Sequence, residues 1–328
     1  MAAFSILLAI LSSAPVDLFT KAGIAYDSGR IEEASNLYKL AGRRGEQPAI
    51  AWFNYGNCQA RLKHRGEAAA AWRKALEWAP RFKRARLNLA ILSEEDGQVG
   101  AAVAQYEQLW ELDQKDPLPA ERLGEIRLTQ NDAVGGIEWF AKALRADSAR
   151  ASAHEGLVRA QLQAGDTLTA RLALQRWAEV GTDTSATQWI TRAALWERTR
   201  QWDQARQSAQ QALALDSSRV SSWLLLARIL QREGSDATAV AVLRQSTRTL
   251  PKEGRLWKAL GQAAWRAESA EEAYQALDRA ITLNEAGSRD LLERMATWHL
   301  VRGEAELARR AKERLRGGGQ TGGDSASR

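Results

Sequence analysis

Residues 34–41 read Ala34-Ser35-Asn36-Leu37-Tyr38-Lys39-Leu40-Ala41: a small residue, a large one four places on, and a small one seven places on. Spacings of four and three fall on one face of an α-helix, so these side chains form a stripe. The small residue then returns at Ala68, Ala102, Gly136, Ala170, Ala205, Ala239, Ala273 and Ala308, at intervals of 34 or 35 residues. The larger slot holds Tyr38, Trp72, Tyr106, Phe140, Leu174, Leu243 and Leu277, and the third holds Ala41, Ala75, Leu109, Ala143, Trp177, Ala212, Ser246 and Ala280. Such a stripe suits a helix whose neighbour approaches closely.

A second stripe lies upstream in each period. Trp52, Tyr55 and Gly56 match Trp189, Arg192 and Ala193, then Trp223, Leu226 and Ala227, then Trp257, Leu260 and Gly261. Between the two helices stand Gly29, Gly97, Asn131, Gly165, Gly234 and Gly303, where the turn needs a residue tolerant of left-handed dihedrals. Pro80 and Pro251 close their units, since proline cannot continue a helix. The expected fold class is therefore all-α, about nine helical hairpins in tandem over residues 15–316, each burying its apolar face against its neighbours. Gly317 to Arg328 lacks the apolar content to order itself and is expected to be a flexible tail.

The unit resembles the tetratricopeptide repeat, W-x2-L-G-x2-Y then A-x3-F then P at a 34-residue period. Trp257-Lys258-Ala259-Leu260-Gly261 carries the first half and Ala34-Ser35-Asn36-Leu37-Tyr38 the second. Gly136 and Arg192 depart from the pattern. The resemblance implies a right-handed superhelical α-solenoid, a concave face lined by the first helix of each hairpin, and a scaffold that binds a protein or extended peptide there. The first three units, through Phe53-Asn54-Tyr55-Gly56-Asn57 and Ala75-Leu76-Glu77-Trp78-Ala79-Pro80, resemble bacterial aerotolerance-operon (Bat-type) tetratricopeptide proteins, which implies an envelope location.

No chemistry-bearing motif accompanies the repeats. Phosphate loops, dinucleotide fingerprints, H-E-x-x-H and G-x-S-x-G are missing. A single cysteine, Cys58, excludes an intramolecular disulfide framework, and His64, His154 and His299 sit in separate repeats, too far apart to share a metal. The expectation is no enzyme, no cofactor and no metal site. Trp52, Trp72, Trp189, Trp223 and Trp257 share the repeat phase and read as packing residues; Trp265 lies off that stripe and reads as a ligand contact.

The off-stripe strip of the first helices gives the candidate partner-binding residues. Phe19, Tyr26, Phe53, Asn54, Asn57 and Arg61 form an aromatic and amide zone; Asn88 and Arg122 stand in an acidic zone with Glu94, Glu95, Glu121 and Glu125. Arg228, Arg232, Arg255, Lys258, Trp265 and Arg266 form a basic zone, which would steer an acidic segment. Asn57, Asn88 and Arg122 match three positions of the family's carboxylate clamp, but Phe53 and Leu118 stand where its lysines belong. The net charge of +6 leaves nucleic acid as the alternative partner, made unlike a continuous phosphate track by the acidic middle zone. The terminal Arg309, Arg310, Lys312, Arg314 and Arg316 read either as a solvated cap or as an anion-binding block.

Phe4 to Leu11 is an apolar run ending in Ser12-Ser13-Ala14, read as an export signal for a periplasmic or envelope protein. It has no preceding basic residue, and an N-terminal packing helix in a cytoplasmic protein is the other reading. Eight residues cannot cross a bilayer, which takes about 20.

Overall fold

Several helices start where a side chain satisfies the free N–H groups of the first turn. Asp17, Asp132 and Asp166 accept from the backbone of Thr20, Gly135 and Thr169, Ser185 and Gln188 form a reciprocal capping box, and Pro48 and Pro117 occupy first-turn positions. The computed structural model describes residues 17–181 and 184–317, and among these it contains eighteen helices and no strand. The apolar run at residues 4–11 and the tail at 318–328 lie outside the described residues.

The chain divides into two units, residues 1–160 and 161–328, with the division inside α9. The first unit pairs α1 (Leu18–Asp27) with α2 (Ile31–Arg44), α3 (Pro48–Arg61) with α4 (Arg65–Trp78), α5 (Lys83–Glu95) with α6 (Val99–Leu112), and α7 (Pro117–Thr129) with α8 (Ala133–Ala146). Helix α9 (Ala151–Gln163) begins the fifth hairpin, which α10 (Thr167–Val180) completes in sequence. The second unit continues with α11 (Ala186–Arg198) and α12 (Trp202–Leu215), α13 (Val220–Arg232) and α14 (Asp236–Thr249), α15 (Gly254–Arg266) and α16 (Ala270–Thr282), α17 (Ser288–Val301) and α18 (Ala305–Gly317). The last helix runs one residue into the expected tail.

The period read from the sequence is the packing period. All nine small residues, from Ala34 to Ala308, are buried, as are all seven occupants of the large slot. The large side chain lies against a gap in the first helices. A Cβ added at Gly56 would come within 2.5 Å of the Trp72 ring, and one at Gly261 within 2.7 Å of Leu277. Phe140 is enclosed on both sides, because a Cβ at Gly124 would sit 2.9 Å from its ring and one at Gly156 only 2.2 Å.

Turns within hairpins share one geometry. Asn131 and the five glycines named above have φ between +62° and +86°. The residue after each closes the helix end, as in Arg30 N–H to Ala25 O at 2.9 Å and Gln98 N–H to Ser93 O at 2.8 Å. Lys63, Arg200 and Glu268 hold the same place with φ of +64°, +59° and +59°, where a side chain is strained.

One departure from the repeat pattern finds its reason. Arg192, at an apolar position, is buried with its guanidinium 3.9 Å from the Trp189 ring centroid and 5.9 Å from that of Trp177, so its planar cation replaces an aliphatic contact. The first-helix tryptophans carry a polar duty as well as packing. Trp223 Nε1 donates to Ser217 O and Trp257 Nε1 to Pro251 O, both at 2.9 Å. Arg86 Nη2 reaches Pro80 O at 2.7 Å and His154 Nε2 bonds Ser148 O at 2.9 Å from the same repeat position. Each ties down the carbonyl six residues earlier, in the turn joining one hairpin to the next.

Gly156→Ala should lower the unfolding free energy by about 1–3 kcal/mol through overpacking against Phe140, and Phe140→Leu in the same chain should restore part of it. Lys63→Gly should raise stability by up to about 1 kcal/mol by relieving the left-handed strain. Urea denaturation midpoints measure both.

Candidate functional site

The first-helix faces of the two units are chemically different, and both use much of their polarity internally. In the first unit Asn57 on α3 accepts two hydrogen bonds at its side-chain oxygen, from Trp72 Nε1 on α4 at 3.1 Å and from Asn88 Nδ2 on α5 at 2.9 Å. One amide thus fixes the large slot of its own hairpin and the first helix of the next. A cleft of about 320 Å³ opens here, with Asn57, Trp72, Asn88 and Ile91 among its walls. The free edges of the two amides, Asn57 N–H and Asn88 C=O, offer one donor and one acceptor, the complement of a peptide group.

The aromatic candidates are half-buried. Phe19 stands edge-on to Tyr38 with centroids 5.5 Å apart, Phe53 packs on Phe82 at 4.9 Å, and the Arg61 guanidinium lies 5.6 Å from the Tyr26 centroid. Burial pushes the Tyr38 phenol pKa up, and Asn54 hydrogen-bonds to it. These residues brace the first two hairpins and leave ring edges exposed. Cys58 is fully buried beneath them, and burial pushes its thiol up to about 11, so it stays protonated at neutral pH.

The acidic zone is cross-paired between hairpins. Glu94 receives Arg122 Nη2 at 2.7 Å and the Tyr106 hydroxyl at 2.9 Å. Glu121 pairs with Arg150 at 2.7 Å and Glu125 with Arg159 at 3.0 Å. Arg122, which matches the clamp pattern together with Asn57 and Asn88, is therefore held by a carboxylate.

In the second unit Arg228 and Arg232 of α13 converge on Glu197 of α11. Arg228 makes a two-pronged contact at 2.9 and 2.8 Å and Arg232 adds one at 3.3 Å, while the carboxylate itself is nearly buried. Two cations share one anion, leaving a surplus of one charge. Arg255 lies 3.8 Å from Glu253, and Lys258 reaches the Ala286 carbonyl and lies 4.0 Å from Glu285. Arg266 and, on α17, Arg294 have no ion-pair partner among the described residues.

Trp265 opens onto a feature the sequence reading did not assemble. It borders a cleft of about 780 Å³ that is also lined by Trp298 and His299 of α17 and by Arg302 and Glu304 of the turn that follows. The His299 ring N–H and Arg302 hold the Glu304 carboxyl below its usual range. The dipeptide Trp298-His299 with Arg302 four residues after Trp298 is the available signal; these side chains fall outside the register of the off-stripe strip. The terminal basic block is largely paired: Arg309 with Glu306 and Glu313, Arg310 with Glu306, and Arg314 with Glu271. Arg309 and Arg310 hold the Glu306 carboxyl down to about 2.

Asn57→Leu should cost about 1–3 kcal/mol in urea denaturation, because the indole and amide donors lose their acceptor, whereas Asn57→Asp should keep most of the stability.

Two segments match models of the tetratricopeptide repeat, residues 49–82 and 220–263. A comparison with curated proteins gives no match. Among solved structures, a tetratricopeptide repeat protein from Parabacteroides merdae superposes with a TM-score of 0.50 at 16% identity, covering 75% of this chain and 97% of that one. PilF of Pseudomonas aeruginosa gives 0.48 at 18% identity over 67% of this chain and 97% of that one. YrrB, described as a tetratricopeptide protein with an unusual peptide-binding site, gives 0.45 at 18% over 63% and 97%. Two segments of the chain are thus tetratricopeptide repeats, and they stand in phase with seven further hairpins of the same design.

Proposed function

We propose that the chain is a non-catalytic scaffold whose first-helix faces hold an extended segment of a partner protein, and that the second unit's face takes an acidic segment. Stacked tetratricopeptide hairpins support protein–protein interaction in general; the finer reading rests on charge. Arg228 and Arg232 carry one charge more than Glu197 neutralises, and Arg266 and Arg294 lack counter-ions among the described residues. These side chains stand on three successive first helices, α13, α15 and α17. In the first unit the free edges of Asn57 and Asn88 suit a main-chain peptide group.

Nucleic acid is the weaker reading. The cations of the terminal helix are largely paired with carboxylates, and the first unit's face carries acidic residues. Among the described residues no helix is long and apolar enough to cross a membrane. We also propose export directed by the apolar run at residues 4–11, which the mass of the protein purified from its native cell tests: a chain starting at Met1 counts against it.

Cross-linking of a captured partner should map to first helices, and cross-links confined to second helices would refute the site. Arg266→Glu with Arg294→Glu should weaken binding of a glutamate-rich peptide roughly tenfold at low salt, and Glu197→Gln should strengthen it several-fold. Both differences should shrink at about 0.5 M salt. Equal affinities at low salt would remove the acidic partner from the proposal.

A further inference from the structure

We propose that the cleft between α3 and α5 is a side-chain pocket that selects one aliphatic residue, of about leucine size, in an extended peptide. The inference rests on the reading that the free edges of Asn57 and Asn88 hold a main-chain peptide group, and it names the side chain that such a peptide carries beside them.

The cleft has an amide level and an apolar level. At the first, Trp72 Nε1 and Asn88 Nδ2 both donate to the Asn57 side-chain oxygen, at 3.1 and 2.9 Å. An indole N–H only donates, so Asn57 must turn its oxygen toward Trp72, and Asn88 must then turn its nitrogen toward that oxygen. The pair is locked in this sense before a ligand arrives, which lowers the ordering cost of binding. Three residues further along each helix, a rise of about 4.5 Å, Ala60 of α3 and Ile91 of α5 border the same cleft, with Leu92 beside them. Ile91 is 39% exposed. Steps of the repeat from Ile91 land on Asn57, Glu125, Arg159, Arg228, Gln262 and Thr297, and otherwise on Gly23 and Ala194, so no other hairpin places a large aliphatic residue there.

The two charged side chains that border the cleft are paired with each other. Arg65 Nη1 bonds Glu95 at 2.9 Å, and its Nε and Nη2 reach Asp96 at 2.7 and 2.6 Å, so all three guanidinium nitrogens are engaged. Glu95 stands one turn after Ile91 on α5, which sets this ion pair at the end of the apolar level. A charged side chain of either sign meets a like charge there, Glu95 for an acid and Arg65 for a base. An aliphatic side chain meets neither cost and removes Ile91 from water. The amide groups left over, the Asn57 N–H groups, the second Asn88 N–H and the Asn88 oxygen, supply donors and acceptors together, as a peptide main chain requires. Main-chain bonds of this kind give an extended segment its affinity, and a pocket for one of its alternating side chains gives selectivity. A volume of about 320 Å³ lies at the lower end of ligand sites and suits one residue.

The test is NMR titration of the isotope-labelled intact protein with synthetic peptides Gly-Ser-Gly-Ser-X-Ser-Gly-Ser-Gly, where X is leucine, alanine, lysine or glutamate. The side-chain amide resonances of Asn57 and Asn88 report weak binding directly. The leucine peptide should bind about fivefold more tightly than each of the others. Ile91→Asn, and Ala60→Leu, which fills the space from the facing helix, should each abolish that difference. Both positions are exposed, and circular dichroism confirms that the variants fold. Peptides that shift the two amides with equal affinity, or with a preference for a charged X, overturn the pocket and leave the main-chain reading standing. A leucine preference that survives both variants overturns its assignment to this cleft. If no peptide moves either amide, the pocket and the main-chain reading fall together.

Discussion

Three of the hairpins share one steric constraint: the large side chain of a second helix enters a space that exists only because the first helices opposite lack a side chain there. Phe140 between Gly124 and Gly156 is the tightest instance, with Trp72 over Gly56 and Leu277 over Gly261 repeating the contact on one side. Close approach at these points sets the distance between hairpins. Beside Gly56 that distance decides which polar groups can meet, so that Asn57 reaches both Trp72 and Asn88. The electrostatics of the first-helix face follow from the packing behind it.

What could be read beforehand was whatever repeats. The stripe from Ala34 to Ala308 and the turn positions from Gly29 to Gly303 identify the hairpins, because burial and left-handed dihedrals place demands that few residue types meet. Lys63, Arg200 and Glu268 were invisible as turns for the same reason, since their side chains do not announce a positive φ. The candidate site was legible only as a strip of side chains. Its internal pairing was not, because Glu197 lies 31 residues from Arg228 and only the assembled hairpins show that they meet. The Trp265–Trp298 corner was hidden likewise, its two halves belonging to different hairpins.

The two faces also differ in how firmly they are held. In the first unit carboxylate–arginine pairs link Glu94, Glu121 and Glu125 to the following hairpins, so its polar groups are oriented and partly neutralised. In the second unit Glu197 concentrates two cations at one point, while Arg266 and Arg294 stay uncommitted. The first unit thus carries an ordered amide pair, and the second a local excess of positive charge. Fold alone would not distinguish them.

The bond from a first-helix side chain to the carbonyl six residues earlier bears on how such chains diverge. Trp223, Trp257, Arg86 and His154 perform it with three different side chains. The task selects for a donor of sufficient reach and is indifferent to whether that donor is an indole, a guanidinium or an imidazole. A hairpin can therefore lose the signature tryptophan and keep its joint to the previous hairpin. Matching by residue identity then recognises two repeats of this chain, although the same joint recurs in others where arginine or histidine stands in place of that tryptophan.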